Sequence, residues 1–415
     1  MAASVPAILR RRTLLAGLGM TATSLRPGRA QSAPPLRIGF VLPYSGDLAW
    51  YGQEIGRGYE LAIQALNAQG GVLGRPLAAA KADVPSPAAA LGEISRLHDQ
   101  NVRILIGSGY TAMALAATPI AERSQVLWWE TNALDNGLTT RGLHHVFQFA
   151  PNNDRFDGAS VTLFRALAPT LLGKPADKLT VGLAYENSVA GTSQSGVQRK
   201  GLAAAGTPIV ADLSYDRKSS DLSPVLLQLR DKAPDVLIQS GYQDDVVLFW
   251  RQAKELGYLP GLAISAGAAA TQDFANSLGP KLVDGIIAYS FPAPDMDEAG
   301  APGVGAFAQA YRDAYGQPPP SGHSLSGYAG MLALADVVRA AGTDDPDALA
   351  KAAHAIDKPV GSYPNGAGLK FNETGRNERA AVSGFQWQDG RLVTIWPDRI
   401  AHGAARGPLV PWDQR

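Results

Sequence analysis

The sharpest chemical motif in this chain is Gly107-Ser108-Gly109-Tyr110-Thr111-Ala112, which follows the apolar run Val102–Ile106 and opens a stretch with helical spacing. A glycine-rich turn between a strand and a helix lets backbone N–H groups approach an anion, and the helix N-terminus favours negative charge there. Glu130 ends the next apolar run. Three readings stay open: a pyrophosphate held by the turn with Glu130 on a ribose, a small carboxylate held by the turn, or a turn that only packs. The nucleotide reading fits poorly, because that fingerprint belongs to the first strand of a sheet and this run is not the first.

Gly322-His323-Ser324-Leu325-Ser326 has the outline of a nucleophile elbow. Ser326 replaces the closing glycine, no strand precedes it, and Pro318-Pro319-Pro320 lies just upstream. The expected role is a loop entering a helix through serine capping. His144 and His145 are adjacent, so on a strand they face opposite sides, and His98, His323, His354 and His402 are scattered. No metal site and no cofactor are expected. With no convergent nucleophile–base or acid–base set, neither is an enzyme. There is no cysteine, hence no disulfide, thiolate site or lipidated N-terminal cysteine. Aromatic residues fall at the ends of apolar runs: Trp50 and Tyr51, Tyr110, and Tyr242 after Val236–Gln239. The ends of parallel strands face a ligand crevice, where such rings suit a small organic solute, although some of them would serve only to pack between lobes.

These residues need elements to hold them. Leu36–Leu42, Val102–Ile106 and Val126–Trp129 read as strands, with helical spacing over Tyr51–Gln69 and Ala112–Ser124. Strand–helix alternation restarts at Leu179–Ala184 and runs to Leu262–Ser265, with Val283–Phe291 as a further strand. Continuous apolar strands in that order imply parallel sheets covered on both faces, and thus an α/β fold with two similar lobes. A helix over Tyr328–Ala341 and a hairpin of Phe385–Trp387 and Leu392–Ile395 follow, then a Gly- and Pro-punctuated tail at 401–415.

The first 30 residues carry five arginines and no acid. Arg11-Arg12 precedes a short apolar stretch and Gly28-Arg29-Ala30, the order of a signal peptide of the twin-arginine type. The exported chain would begin near Gln31 in the periplasm, with 32 basic and 37 acidic residues and a net charge of −5. That acidity argues against nucleic acid as a partner.

The run Ser45-Gly46-Asp47-Leu48-Ala49-Trp50-Tyr51-Gly52, then Gly56, Ala62, Asn67 and Gly70-Gly71-Val72-Leu73-Gly74, resembles the start of a leucine/isoleucine/valine-binding protein. The similarity continues through Ile106-Gly107, Thr139–Gly142, Gly241-Tyr242 and Phe371–Gly375. It implies a type I periplasmic binding protein of an ABC importer: two Rossmann-like lobes with three interlobe crossovers, monomeric, serving permease and ATPase subunits in the inner membrane. It implies a ligand carboxylate at Tyr110-Thr111, further contacts at Asn132 and Leu134, and aromatic walls at Tyr51 and Tyr242. Three positions depart from the family pattern. Ala190 stands where a tyrosine is usual, Gly267 where a glutamate holds the ligand's ammonium, and Leu134 where a hydroxyl is usual. Asp245 is an alternative acid, weighed against a helix-capping role. The expected lobes are 36–150 with 293–345, and 151–292 with 346–400. A ligand sensor of the same fold and a secreted enzyme are the rival readings.

Overall fold

The computed structural model describes residues 34–415; the signal-peptide segment expected at 1–30 lies outside the described residues. Strands β1 (Leu36–Leu42), β2 (Leu77–Asp83), β3 (Ile104–Gly107), β4 (Leu127–Glu130) and β5 (Val146–Gln148) form a wholly parallel sheet in the order β2-β1-β3-β4-β5. Neighbouring strand residues point to opposite faces, so each strand feeds two cores. Phe40, Ile104, Trp129 and Phe147 meet helix α1 (Ala49–Ala68) on one face. Val41, Leu105, Trp128 and Val146 meet α2 (Ala90–Asp99) and α3 (Thr111–Arg123) on the other. Two buried faces explain why these strands read as unbroken apolar runs.

The chain then passes through Pro151 into α4 (Asn153–Leu172) and a second sheet. Its strands are β6 (Val181–Glu186), β7 (Ile209–Tyr215), β8 (Val236–Ser240), β9 (Leu262–Ser265), β10 (Ile287–Ser290), β11 (Ser383–Gln388) and β12 (Arg391–Trp396). Their order is β12-β11-β10-β9-β8-β6-β7, parallel from β7 to β10 and antiparallel beyond. Ile238, Ile264 and Tyr289 pack with α4 and α5 (Val189–Ala204); Leu237, Ala263 and Ala288 pack with α6 (Ser223–Lys232) and α7 (Gln243–Glu255). Two shorter helices, α8 (Gln272–Leu278) and α9 (Pro280–Val283), complete this layer. The strand expected over Val283–Phe291 is shorter, because Pro280 starts a helix that lasts to Val283.

After β10 the chain returns to the first sheet with α10 (Val304–Tyr315), α11 (His323–Ala341) and α12 (Pro346–Ala355). Helix α11 lies along α1, and Ala329, Leu334 and Val338 join the core of the first sheet. The expected transfer to the second lobe at residue 346 is corrected here. Leu349, Ala353, Tyr363, Leu369, Phe371 and Ala381 all belong to that same first core, with the Phe371 ring 5.3 Å from Trp129 and 5.0 Å from Phe147. The last crossing comes after Ala381, where β11 begins. Beyond β12, the final segment lies on the second lobe: Leu409 donates its N–H to Gly261 O, and Trp412 Nε1 donates to Tyr258 O.

Candidate functional site

In each sheet the chain leaves its first strand to one side and then crosses to the other, so a crevice opens at the carboxyl ends of β1 and β3, and of β6 and β8. Trp50 and Tyr51 follow β1, Tyr110 and Thr111 follow β3, Ala190 follows β6 and Tyr242 follows β8.

The turn after β3 is organised by Glu130. Its fully buried carboxylate accepts hydrogen bonds from the N–H groups of Ser108, Thr131, Asn132 and Ala133 and from Trp128 Nε1, at 2.7–3.2 Å. Burial raises the pKa of this acid, and the backbone donors oppose the rise. Glu130 therefore joins two loops, and no oxygen is left over for a ribose. At Gly109 the backbone is left-handed (φ +76°), and a Cβ there would collide with the Ile55 side chain. Helix α3 begins at Thr111, with Tyr110 as an extended N-cap that makes no side-chain cap bond. The first-turn N–H groups of this helix thus lack a side-chain acceptor.

Asn132 is buried. Its Nδ2 donates to Thr131 Oγ1 (2.9 Å), and its Oδ1 is 3.0 Å from His323 Nδ1. The carbonyl of Leu134 accepts from Asn153 N–H at 2.6 Å, and its side chain rests on the core of the second lobe, so this residue joins the lobes. His323 sits among rings: centroids lie 5.2 Å away at Tyr51, 6.2 Å at Trp50 and 5.1 Å at Phe291, which in turn is 5.4 Å from Phe156. A serine does meet the start of α11, from just before the N-cap position. Gly322 is the N-cap, and it is Ser321 Oγ that accepts the His323 N–H.

On the second lobe, Tyr242 is half-buried with the Arg217 guanidinium 4.6 Å from its ring centre. Burial pushes the Tyr242 phenol up to about 12, with Tyr110, Glu186 and Tyr51 adding to the rise and Arg217 opposing it. Burial likewise raises the Tyr51 phenol against Arg217. Tyr51 and Tyr110 of one lobe therefore lie within electrostatic reach of Tyr242 on the other. Asp245 is buried and already bonded: Oδ1 accepts from Tyr242 N–H (2.9 Å) and Oδ2 from Tyr215 OH (2.8 Å). Burial raises its carboxyl to about 6. Glu186 is committed in the same way, to the N–H groups of Ser188 and Gly191 and to Ser188 OH. Ala190 is exposed in the first turn of α5. Gly267 opens the turn after β9, where an added Cβ would find only Ser290 Oγ at 3.5 Å and Phe156 at 4.0 Å.

The structure thus gathers Trp50, Tyr51, Tyr110 and Tyr242 with His323, which the sequence marked only as part of a helix entry, and with Phe291 and Arg217, which sequence reasoning passed over. Phe291 directly follows β10, so the strand-end rule applied to the other aromatics would have found it. Two surface depressions, of about 420 Å³ beside Arg251 and Leu282 and about 210 Å³ beside Pro319 and Trp387, contain none of these residues. The strand-end crevice is favoured over both because backbone donors and side chains of both lobes meet there.

A two-lobed α/β molecule of this topology, with aromatics and an open helix N-terminus facing a shared crevice, has the architecture of a solute-binding protein. A family model for periplasmic binding proteins matches residues 35–391, and the chain belongs to that family. It is 35% identical over 388 residues to Leu/Ile/Val-binding protein homolog 8 of Brucella suis biovar 1 (strain 1330), covering 93% of this chain and 95% of the relative. Its fold is that of a branched-chain amino acid transporter substrate-binding protein of Streptococcus pneumoniae, solved with isoleucine (TM-score 0.72, 20% identity, 86% and 97% of the two chains). It is also that of a solute-binding protein of an R. palustris ABC transporter, solved with benzoate (TM-score 0.70, 22% identity, 91% and 100%).

Proposed function

We propose that this chain is the periplasmic solute-binding component of an ABC importer, without catalytic activity of its own. Its ligand is a small carboxylate or amide that lacks an α-ammonium group and has an aromatic or branched body. One observation carries the choice of ligand: a Cβ on Gly267 would meet only Ser290 Oγ and Phe156, with no acid among its contacts, while Asp245 and Glu186 are each bonded within their own lobe. A buried ammonium without a carboxylate costs about 2–5 kcal/mol of affinity. A carboxylate, by contrast, meets the first turn of α3 at Thr111, and an apolar body meets Tyr51, Tyr110 and Tyr242. The solved neighbours with isoleucine and with benzoate support a fold that takes either kind of ligand; the crevice of this chain favours the second. Solved neighbours named as ABC transporter components support delivery to an importer, whose permease and ATPase subunits would be the membrane partners. Among the described residues no helix is long and apolar enough to cross a membrane.

The test is competitive calorimetry of leucine against its keto acid and against benzoate. Tighter binding of the keto acid or benzoate, by tenfold or more, is expected. Tight binding of leucine that is lost in Asp245→Asn would overturn the reading and return the chain to ordinary branched-chain amino acid binding.

A further inference from the structure

His323 was set aside in the sequence as part of a helix entry, yet the fold places it in the crevice wall. It touches Trp50 and Tyr51 after β1 and Phe291 where the chain leaves β10. Its orientation is fixed through a chain of hydrogen bonds that starts in the core. Tyr59, fully buried, shares a hydrogen bond with Thr131 Oγ1, and Asn132 Nδ2 donates to that same oxygen. In this arrangement Asn132 turns its Oδ1 toward His323 Nδ1 at 3.0 Å. An amide oxygen only accepts, so the imidazole proton sits on Nδ1. Nε2 is left as a lone-pair acceptor. It has no protein partner among the described residues and is not one of the fully enclosed unpaired atoms, so it keeps contact with solvent.

We infer that His323 Nε2 is a specificity-determining hydrogen-bond acceptor, which selects ligands whose apolar body carries an O–H or N–H donor. This deepens the proposed function and rests on it: the carboxylate end would be held at Thr111, and the donor of the ligand would be read by His323. An apolar ligand body seated against these rings would displace water, so a donor left unpaired there loses more than it would in solvent. Burial also pushes the imidazole down to about 4, which keeps it neutral and accepting at neutral pH. A hydroxylated aromatic acid or an aromatic amide-acid has the required chemistry, whereas an unsubstituted benzoate leaves Nε2 unmatched.

The experiment compares the full chain with His323→Phe and His323→Gln by calorimetry. The probes are benzoate, 3-hydroxybenzoate, 4-hydroxybenzoate and 4-methoxybenzoate, with thermal melting to confirm that each variant is folded. The intact protein should bind one hydroxybenzoate isomer at least tenfold tighter than benzoate, and should not favour the methoxy acid, which offers no donor. In His323→Phe that ratio should fall to near one. In His323→Gln, whose amide oxygen still accepts, part of it should return. A ratio near one in the intact protein, a ratio unchanged in His323→Phe, or an equal gain from the methoxy group would overturn the inference while leaving the carboxylate reading intact. If none of the aromatic acids binds and leucine does, the proposed function fails, and this inference fails with it.

Discussion

At the scale of single residues, Thr111 and Asp157 give opposite kinds of test. Thr111 starts α3, and its hydroxyl and N–H stand where the proposed carboxylate would be held. A charge-assisted hydrogen bond contributes roughly 1.5–3 kcal/mol, so Thr111→Ala should weaken carboxylate binding about tenfold or more by calorimetry. Equal affinities would mean that the backbone alone holds the anion. Asp157, on α4, is fully buried without a well-formed hydrogen bond to either carboxyl oxygen, and burial raises it to about 8, with Asp154 adding to the rise and the nearby Tyr289 hydroxyl easing it. The sign follows from linkage. Between about pH 4 and 8 the folded protein holds a proton that the unfolded chain has released, so this group's contribution to stability falls as pH rises through the window. Asp157→Asn should remove about 2 kcal/mol of the stability lost between pH 6 and 8, as read by urea unfolding at the two pH values. A slope unchanged in the variant would place the titrating group elsewhere. Neither Asp157 nor His323 announced itself in the sequence, because a lone acid or histidine gains meaning only from what the fold packs around it. Tyr51, Tyr110 and Tyr242 were legible because residue type and position after a strand end suffice to mark them.

At the scale of elements, the crossing of α1 and α11 positions His323. A Cβ on Gly58 would overlap the Ser324 carbonyl, so the two helices approach this closely only over a glycine. Alanine is the better helix former by about 1 kcal/mol, but overpacking a close crossing costs about 1–3 kcal/mol. Overpacking should therefore prevail, and Gly58→Ala should destabilise the protein and displace His323. Gly92, inside α2, is the control, since an added Cβ there meets nothing within 4 Å. Gly92→Ala should instead stabilise by about 0.5–1 kcal/mol. Paired urea titrations decide the matter: a gain in both variants would show that the α1–α11 contact is soft. The sequence carried α1 and α3 through their spacing and β1, β3 and β4 through their apolar runs. It hid β2, whose Leu77-Ala78-Ala79-Ala80-Lys81-Ala82-Asp83 has little of the β-branched and aromatic content that strands favour.

At the scale of the whole molecule, two sheets with separate cores are joined at three crossings, after Ala150, Phe291 and Ala381. The restart of the strand–helix pattern near residue 179 made the second lobe legible. The last crossing was misplaced because α12 and the loop to Phe371 carry no periodicity that names a sheet; only the contacts of Phe371 with Trp129 and Phe147 assign them. Three short connections permit rotation of one lobe against the other, and the crevice contacts bear on which state a ligand favours. Arg217 is exposed on its loop, yet it faces the Tyr242 ring and acts on Tyr51 of the opposite lobe, so in the proposed function a cation and these phenols would surround the ligand on closure. A ligand that touches both lobes binds the closed form better, and it shifts the population only by that difference in affinity. Solution scattering with a saturating aromatic acid should therefore show a smaller radius of gyration than scattering without it. In Arg217→Ala, more ligand should be needed to reach the same compaction. An identical profile with and without ligand, under calorimetrically verified saturation, would mean that the crevice is already closed before binding and that the crossings act as rigid ties.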